Sequence, residues 1–402
     1  MIKKIAAQFK EKIWLLLLLI LLISFALRIW HLGRINEFIF DEVYFVNFAK
    51  NYLNGTAFFD IHPPLGKLIL ALGIKIFGDN PIGWRIMPAI FGTLLILVGY
   101  LTGKEIGGKV TGIFTAAILS LDGMLLVYSR IGLIDIFLVC FIMLSFYSFL
   151  KFSNTNKLVY IILASIFLGL GASVKYIGAL IFLVFILIAF LKKVPLKQNF
   201  WKYLIFIILV PLVIYLGFFL FNFHNKDFFQ KVVEWHIQSF NYNLYLTDSH
   251  PYGSKWWGWF LLLRPIWLYY KDNNGKLIGV DGIGNPLIWW SFAVVLPLLI
   301  WDSIKKRQIP LMILAGFLVF WLFWAPVKRV LFLYHALPSF TFLVLGLALY
   351  LNDVWRKPFW RTWVLVYFLI LLLIFIFFLP IWIGLPLNSP ALYHRLWFKS
   401  WI

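Results

Sequence analysis

Long apolar segments alternate with short polar ones along most of the chain. The first of them, "IWLLLLLILLISFALRIW", has the length that a helix needs to cross a lipid bilayer. Comparable segments recur as far as about residue 384. We therefore predict an all-α polytopic membrane protein, because only helices or closed barrels satisfy their backbone groups in lipid. The pattern predicts about eleven membrane-spanning helices, at 13–30, 84–101, 110–128, 132–150, 158–173, 176–191, 203–222, 286–301, 309–325, 330–350 and 362–384.

Composition agrees with this class and narrows the chemistry. Of 402 residues, 63% are hydrophobic and only 13% are charged, against about 25% charged in soluble proteins. The single cysteine, Cys140, cannot form an intramolecular disulfide, and the seven histidines are scattered without an i, i+4 pair. The sequence predicts no metal site and no cofactor. No small-residue cleavage site follows the first apolar segment, so we interpret it as an uncleaved span rather than a signal peptide.

The basic residues indicate the orientation in the membrane. Eighteen of the 36 Lys and Arg residues lie in six short segments that fall on one side of an eleven-span topology. That side is predicted to be the cytoplasm. The N-terminus is then cytoplasmic and the C-terminus external. The net charge of +20 indicates topology and attraction to anionic lipid. It is dispersed among the spans, so it does not predict nucleic-acid binding.

The acidic residues favour the opposite side, where the two long loops also lie. These loops cover about 31–83 and 223–285, whereas the loops on the basic side are very short. Catalysis needs room and polar groups, so we predict an external active site. The chain divides into an N-terminal membrane module, 1–222, which contains the first external loop, and a C-terminal part, 223–402, with an external loop and four membrane helices.

The first external loop holds the densest polar chemistry, in "FDEVYFVNFAKNYLNGTAFFDIHPPLGK". Its pattern predicts two short helices on the membrane surface, the first ended by Gly55. Asp41 and Glu42 begin the first helix, while Asp60 and His62 lie in the turn between the two. Asp41 is either a functional carboxylate or an N-cap, and Glu42 suits the first turn of a helix. His62 suits a structural role beside two prolines.

Further ionisable residues lie at the ends of predicted spans. Arg130 and Asp135 in "YSRIGLID" are either functional or a structural ion pair. Lys175 is either a functional cation on the outer side or an interfacial lysine. Asp122 suits a packing role inside the third span. Arg264 is either a phosphate ligand or a plain interfacial arginine.

The first loop resembles that of the protein O-mannosyltransferases, the dolichyl-phosphate-mannose–protein mannosyltransferase family. That family shows an Asp-Glu pair, a Phe-rich stretch, then an acid and a His-Pro-Pro-Leu-Ala/Gly-Lys block. "SRIGLID", "GASVKYIG", "GNPLIWW" and "KRVLFLYHALPSF" resemble its later motifs in the expected order. The second external loop lacks the large soluble insert of the eukaryotic members, which fits the prokaryotic branch.

The resemblance implies a C-type glycosyltransferase fold, in which external loops join a lipid-linked sugar to an acceptor. By residue matching, Asp41 is the catalytic acid and Glu42 supports it, while Arg130 and Asp135 match positions tied to activity. The implied partners are a polyprenyl-phosphate-linked mannose, a Ser- or Thr-containing acceptor protein and membrane lipid. Homo- or hetero-oligomerisation stays open.

The chemistry agrees with this resemblance. Phosphate is already a good leaving group, so transfer mainly needs a base for the acceptor hydroxyl, and one carboxylate suffices for a single inverting displacement. We predict Asp41, Glu42 and Asp135 as catalytic residues, with Asp60, His62 and His335 in support. The donor phosphate needs cations, and the candidates are Arg130, Lys175 and Arg329.

Two alternative functions remain at this point. Aminoarabinose–lipid A transferases share the fold and an acidic first loop, but the "HPPLGK" block argues against transfer to a lipid or glycan. A multispan transporter or flippase would show matching inverted halves with interrupted helices. The sequence shows no such halves.

Overall fold

A computed structural model describes residues 12–193, 200–223, 226–246 and 248–402. Most of the described residues are helical, which confirms the predicted fold class. In chain order the first nine are α1 (Ile13–Ile29), α2 (Glu42–Asn54), α3 (Leu65–Phe77), α4 (Pro81–Gly107), α5 (Lys109–Ser120), α6 (Gly123–Tyr128), α7 (Asp135–Thr155), α8 (Leu158–Val174) and α9 (Ile181–Leu191). A 3₁₀ turn, Tyr176–Leu180, leads into α9.

The second half of the chain is also mainly helical. Its helices are α10 (Phe200–Tyr203), α11 (Val210–Phe219), α12 (Phe228–Tyr245), α13 (Pro286–Trp290), α14 (Phe292–Ile304), α15 (Gln308–Leu322), α16 (Leu337–Trp355), α17 (Arg361–Trp382) and α18 (Ser389–Tyr393). A π-helical turn, Leu204–Leu209, joins α10 to α11. The 3₁₀ turns are Trp256–Leu261, Leu333–Ala336, Pro358–Trp360 and Lys399–Trp401.

Each predicted span coincides with an apolar helix or helical segment. Within the described residues, five segments are long and apolar enough to cross a membrane, and six further apolar helices are shorter. The five long segments are Pro81–Gly107, Asp135–Thr155, Pro286–Ile304, Leu333–Trp355 and Pro358–Trp382. The structure therefore supports a multi-pass membrane protein, with boundaries within a few residues of those predicted.

The centre of the bundle is formed by α7 and α16. In the most apolar stretch of α7, 78% of the residues are buried, and the buried share is 89% in the segment that contains α16. In the segments Pro286–Ile304 and Pro358–Trp382, only 28% of the residues in the corresponding stretch are buried. These last two helices therefore have large apolar surfaces that suit contact with lipid, whereas α7 and α16 are surrounded by protein. The polar residues at the start of α7 consequently lie against the core of the bundle.

The two short helices predicted in the first long loop are both present. Helix α2 ends at Gly55, whose φ of 68° is left-handed, a conformation that glycine adopts without a steric penalty. Pro64 directly precedes α3. The turn that contains Asp60 and His62 connects the two helices. The loop thus presents its polar residues from two short, well-packed helices.

A small antiparallel sheet was not predicted. Strand β1 (Trp267–Asn273) pairs with β2 (Lys276–Asp281), which also pairs with β3 (Pro386–Leu387). Asn274 and Gly275 have φ values of 52° and 78°, the left-handed geometry of a tight hairpin turn. The Asn-Gly pair in the sequence is the signal that hydropathy alone missed.

Candidate active site

One large cavity brings most of the predicted site residues together. Its volume is about 1080 Å³, and its walls come from α2, the turn before α3, the start of α7, the end of α8, helix α12 and the segment between α15 and α16. Seven of the nine predicted site residues line it: Asp41, Asp60, His62, Asp135, Lys175, Arg329 and His335. Glu42 and Arg130 are not among the lining residues.

Asp41 is positioned at the start of α2 with its carboxylate directed to the cavity. It occupies the N-cap position, but its side chain makes no capping hydrogen bond in the described part of the chain. The preceding residue, Phe40, has a φ of 51°, which is rare for a non-glycine residue and turns the chain sharply before the helix. The capping interpretation therefore does not explain this aspartate.

Burial raises the pKa of Asp41 to about 6, with Lys175 lowering it and Asp135 raising it. A carboxylate with a pKa near 6 is ionised at neutral pH and is a stronger base than an ordinary aspartate. This is the range in which enzymes tune carboxylates for general acid–base catalysis. The position and protonation of Asp41 both suit the abstraction of a proton.

Glu42 lies behind the cavity wall rather than in the cavity. Its side chain is fully buried, and Arg85 donates to it from Nε at 2.8 Å and from Nη2 at 2.7 Å. The backbone N–H groups of Ile39 and Gly132 also donate to it, at 2.8 and 2.6 Å. These four contacts satisfy both carboxylate oxygens and suit positioning of the neighbouring Asp41 better than proton transfer. The predicted catalytic role of Glu42 stays a prediction.

The partner of Asp135 is Lys175 and not Arg130. Lys175 Nζ lies 2.7 Å from Asp135 Oδ1, and both side chains line the cavity. The ammonium also lies 5.5 Å from the ring centroid of Tyr334, another cavity residue. The alternative of a structural Arg130–Asp135 pair is wrong. Asp135 and Lys175 instead form a polar pair inside the cavity with Asp41.

Arg130 lies away from the large cavity because backbone carbonyls hold its guanidinium elsewhere. Its Nη1 donates to the carbonyl oxygens of Leu27 and Arg28, at 2.5 and 3.0 Å. It lines a separate cavity of about 20 Å³ together with Arg34 and Arg85. The structure therefore does not support the prediction that Arg130 binds the donor phosphate, and suggests that it ties α1 to the turn before α7.

Arg329 and its neighbour Lys328 both line the large cavity, and neither has an ion-pair partner among the described residues. Arg329 also makes no hydrogen bond with any residue that the structure describes. Burial lowers its pKa, while Tyr334 and Tyr242 raise it. Arginine is nevertheless protonated at neutral pH. An unpaired guanidinium in a cavity is a suitable ligand for a phosphate group.

Lys67, the last residue of the "HPPLGK" block, holds Asp60 and His62 in the cavity wall. Lys67 Nζ lies 2.5 Å from Asp60 Oδ2 and also donates to the carbonyls of His62 and Pro63. Burial and the nearby cations lower the pKa of His62 well below its usual range, so it is neutral. Its ring stacks on Phe45 at 6.0 Å. These contacts fit the predicted supporting role.

His335 is similarly held by its surroundings. Its Nδ1 lies 3.1 Å from the backbone nitrogen of Phe332 and 3.0 Å from that residue's carbonyl oxygen. The ring lies 4.3 Å from that of Trp324 and 4.5 Å from that of Tyr334. The packing leaves His335 as a rigid part of the wall beside Arg329.

Two other residues considered in the sequence have structural contacts. Asp122 accepts hydrogen bonds from the backbone of Leu125 and Asn285 and from Trp289 Nε1, which confirms its packing role. Arg264 donates to the carbonyls of Pro251, Ser400 and Ile402 and thereby fixes the C-terminal segment. Neither lines the large cavity.

Sequence reasoning missed the wall that α12 contributes. Helix α12 supplies His236, Ser239, Phe240, Tyr242, Asn243 and Leu244 to the cavity lining. His236 Nε2 lies 2.6 Å from Tyr215 Oη, and its Nδ1 lies 2.6 Å from its own helix at Val232 O. The periodic spacing of apolar residues in 228–245 was the available signal. Among the described residues, no group of three His, Cys, Asp or Glu side chains has the arrangement of a metal site.

Comparison with known proteins now identifies the family. Residues 18–84 and 61–217 match models of dolichyl-phosphate-mannose-protein mannosyltransferases, and residues 228–401 match the C-terminal four-helix membrane region of protein O-mannosyltransferases. A polyprenol-phosphate-mannose–protein mannosyltransferase of Corynebacterium glutamicum is 28% identical, over 85% of this chain and 81% of that protein.

Solved structures with the same fold agree. The Saccharomyces cerevisiae protein O-mannosyltransferase Pmt1–Pmt2 complex bound to the sugar donor superposes with a TM-score of 0.88, at 16% identity, over 97% of this chain and 93% of that one. ArnT from Cupriavidus metallidurans bound to undecaprenyl phosphate gives 0.60, at 16% identity, over 97% and 75%. The combined matches cover nearly the whole length, and the chain belongs to the protein O-mannosyltransferase family, in its prokaryotic form.

Proposed function

We propose that the protein transfers a mannosyl residue from a polyprenyl-phosphate donor to Ser or Thr hydroxyls of proteins at the non-cytoplasmic membrane face. One observation carries the proposal: Asp41 and the unpaired Arg329 line the same cavity. The pair supplies a base for the acceptor and a cation for the donor. The family membership and the name of the Corynebacterium relative support mannose as the sugar and protein as the acceptor.

The reaction is a single displacement at the sugar's C1. Asp41 takes the proton from the acceptor hydroxyl while the oxygen of that hydroxyl forms a bond to C1. The bond between C1 and the phosphate oxygen breaks at the same time, and its electron pair leaves with the polyprenyl phosphate. Attack opposite the leaving group inverts the anomeric centre. The carboxylate needs only to be ionised and close to the acceptor, which the pKa of about 6 and the cavity position of Asp41 both favour.

Arg329 and Lys175 stabilise the phosphate that leaves. Arg329 can donate a bidentate pair of hydrogen bonds because no described residue occupies its guanidinium. Lys175 is already paired with Asp135 at 2.7 Å, so it contributes as a shared cation. Asp135 then sets the position of Lys175 and the electrostatic potential around Asp41. In this proposal Asp135 acts by positioning and charge, and Asp41 is the base.

The cavity is proposed to face the outside. Every segment that lines it belongs to the set of loops and helix ends opposite the six Lys- and Arg-rich segments. Single cysteines in place of Asn54 and Asn274 are expected to label with a membrane-impermeant thiol reagent in intact cells. A cysteine in place of Lys306 is expected to label only after permeabilisation. The reverse pattern would contradict both the orientation and the external active site.

The direct test is transfer in vitro. The purified protein, reconstituted in lipid, is incubated with radiolabelled mannosyl polyprenyl phosphate and a Ser/Thr-rich peptide, with Asp41→Asn as the control. We expect label on the peptide, at hydroxyl-bearing residues, only with the unsubstituted protein. Label on lipid or glycan but not on peptide would favour the alternative acceptor. Movement of intact donor across the bilayer without transfer would favour a flippase.

A further inference from the structure

Helix α12 carries a narrow apolar stripe that no described residue covers. The stripe consists of Phe229, Val233, Ile237, Phe240 and Leu244, with exposed fractions of 71%, 57%, 55%, 66% and 57%. Because successive helical residues turn by about 100°, these five positions fall within about 80° of the helix circumference. Scattered exposed apolar residues are normal, but five in one stripe indicate a contact surface.

The remaining exposed side of α12 is mainly polar, with Tyr242 and Tyr245 as its exposed aromatic residues. Gln230, Glu234, Gln238 and Asn241 form a second stripe directly beside the apolar one, and all four are exposed. Gln230 Nε2 also donates to Glu234 Oε1 at 2.8 Å along this stripe. The third side packs on the protein through Val232, Trp235 and Ser239. A helix that faced only water on its free side would not divide that side into separate apolar and polar stripes.

The neighbours of α12 include the end of the apolar helix α11. Phe219, the last residue of the apolar helix α11, has its ring 4.8 Å from Trp235 and 5.4 Å from His236. Leu220 and Phe221 directly after α11 are also exposed, at 54% and 60%. Exposed apolar side chains are therefore present both on the stripe and at the end of the apolar helix that packs against α12. A helix with one apolar and one polar free side is suited to lie in the bilayer interface.

The same helix forms a wall of the active-site cavity. Phe240 and Leu244 belong to the stripe and also line the cavity, as does Phe323, which is 39% exposed. The cavity consequently opens to the outside of the protein beside the apolar stripe, near Phe240, Leu244 and Phe323. A ligand with a long apolar chain could keep that chain in lipid while its polar head occupied the space beside Asp41.

We propose that α12 lies in the membrane interface on the cavity side, with the five-residue stripe in contact with lipid, and that it forms the rim over which the prenyl chain of the donor leaves the cavity. The lipid contact stands on the geometry of α12 alone. The role as a rim rests on the proposed transferase function. The occupant of the stripe is bilayer lipid, not a second copy of the chain or an acceptor protein.

Depth-dependent fluorescence quenching tests the lipid contact without any activity measurement. Ile237→Cys and Gln238→Cys are adjacent positions on the two stripes, and the native Cys140 is buried, so each variant is labelled with an environment-sensitive probe and reconstituted in phosphatidylcholine–phosphatidylglycerol vesicles. The unsubstituted chain controls for labelling of Cys140.

We expect a nitroxide high on the lipid acyl chain to quench the probe at 237, and aqueous iodide to quench only the probe at 238. Equal quenching by iodide at both positions would overturn the proposal. Protection of position 237 from both quenchers would also overturn it, because protein would then cover the stripe.

The proposed role of α12 as a rim for the prenyl chain is tested with donors of different chain length. Ile237→Glu is compared with Gln238→Glu, its matched control on the polar stripe, using a long-chain polyprenyl donor and a short-chain, water-soluble analogue. We expect Ile237→Glu to raise KM several-fold for the long donor and to leave KM for the short donor unchanged. Equal effects on both donors, or none, would refute the rim. If the unsubstituted protein transfers no mannose, the proposed function fails while the quenching result still decides the lipid contact.

Discussion

Lys175 Nζ lies 2.7 Å from Asp135 Oδ1, and this pair faces the same cavity as Asp41. The two members act on the pKa of Asp41 in opposite directions, since Lys175 lowers it and Asp135 raises it. The pair thus holds the pKa of Asp41 between the values that either partner alone would produce. A base in a cavity can be adjusted in this way without any contact with the tuning residues.

The pH dependence of transfer should follow Asp41. A general base works only when unprotonated, so activity is present above its pKa and is lost as pH falls through it. We expect kcat/KM to be constant above about pH 7 and to fall about tenfold per pH unit well below 6, because that ratio reports the free enzyme's ionisation. The measurement is kcat/KM for the donor between pH 4.5 and 8 at constant ionic strength. An activity that stays constant down to about pH 5 would contradict this assignment.

Substitutions of Lys175 and Asp135 should shift the acidic limb of the pH profile, the fall of kcat/KM at low pH, in opposite directions. Lys175→Met removes a cation, so the ionised form of Asp41 loses a favourable interaction and the limb shifts to higher pH. Asp135→Asn removes a like charge, so the limb shifts to lower pH. The position of the limb is read separately from the maximum rate, which both substitutions are also expected to lower. Shifts in the same direction would show that the pair does not tune Asp41 by charge.

Substitutions of Arg329 and Arg130 should have different effects on the KM for the donor. Arg329→Ala should raise KM for the donor at least about tenfold, since a charge-assisted bidentate contact is worth about 1.5–3 kcal/mol and 1.4 kcal/mol is a factor of ten. Arg329→Lys should restore part of the loss, because a single ammonium cannot reproduce the planar fork. Steady-state kinetics with the lipid donor make the measurement.

Arg130→Ala is the matched comparison for Arg329. Its guanidinium holds the carbonyls of Leu27 and Arg28, so the substitution should lower thermal stability and leave donor KM of the folded protein nearly unchanged. A normal Tm combined with a large rise in KM for Arg130→Ala would return it to the role that its motif suggested. In that case the guanidinium would have to leave its present carbonyl partners when donor binds.

Glu42 and Arg85 should behave as a buried pair rather than as catalytic groups. Removal of one partner from such a pair typically destabilises a protein by about 3–5 kcal/mol, because the other charge stays buried. Glu42→Gln should therefore lower Tm strongly, while turnover per folded molecule should fall less than in Asp41→Asn. Glu42→Gln combined with Arg85→Gln should recover stability relative to either single variant. A stable but inactive Glu42→Gln enzyme would instead make Glu42 a direct participant.

The predicted elements that proved correct depend on local signals. Hydropathy over long windows located each span, and Gly55 and the two prolines before α3 marked the limits of the surface helices. The Asp-Glu pair identified a loop that lines the large cavity. Each of these signals lies within a few residues of the feature that it predicts.

The errors arose where a contact depends on the packing of distant segments. Arg130 is near Asp135 in sequence, but Asp135 at the start of α7 faces Lys175, forty residues further along the chain. Glu42 pairs with Arg85, which is 43 residues away. No periodic pattern shows which way an arginine in a tight turn will point. The hydropathy of 228–245 is diluted by its polar stripe, so α12 was interpreted only as part of a loop.

The sharpest prediction concerns Asp41, because its two interpretations make opposite demands on one substitution. As an N-cap, Asp and Asn are nearly equivalent, and the structure shows no capping hydrogen bond that Asn could lose. As a general base, Asp41 cannot be replaced by Asn, whose amide accepts no proton at neutral pH. We expect Asp41→Asn to keep the Tm and donor affinity of the unsubstituted protein and to transfer mannose at least about 100-fold more slowly, within the range typical of such catalysis.

Asp41→Glu completes the test, since it keeps a base but moves it by one methylene group and should retain a trace of activity. Single-turnover measurements with saturating donor separate this chemical step from binding. If Asp41→Asn turned over at a near-normal rate, the base would have to be another carboxylate of the cavity. Asp60 is held at 2.5 Å by the buried Lys67, and Glu42 lies outside the cavity. Asp135 would then be the residue to substitute next, with the pH limb of its Asn variant as the measurement.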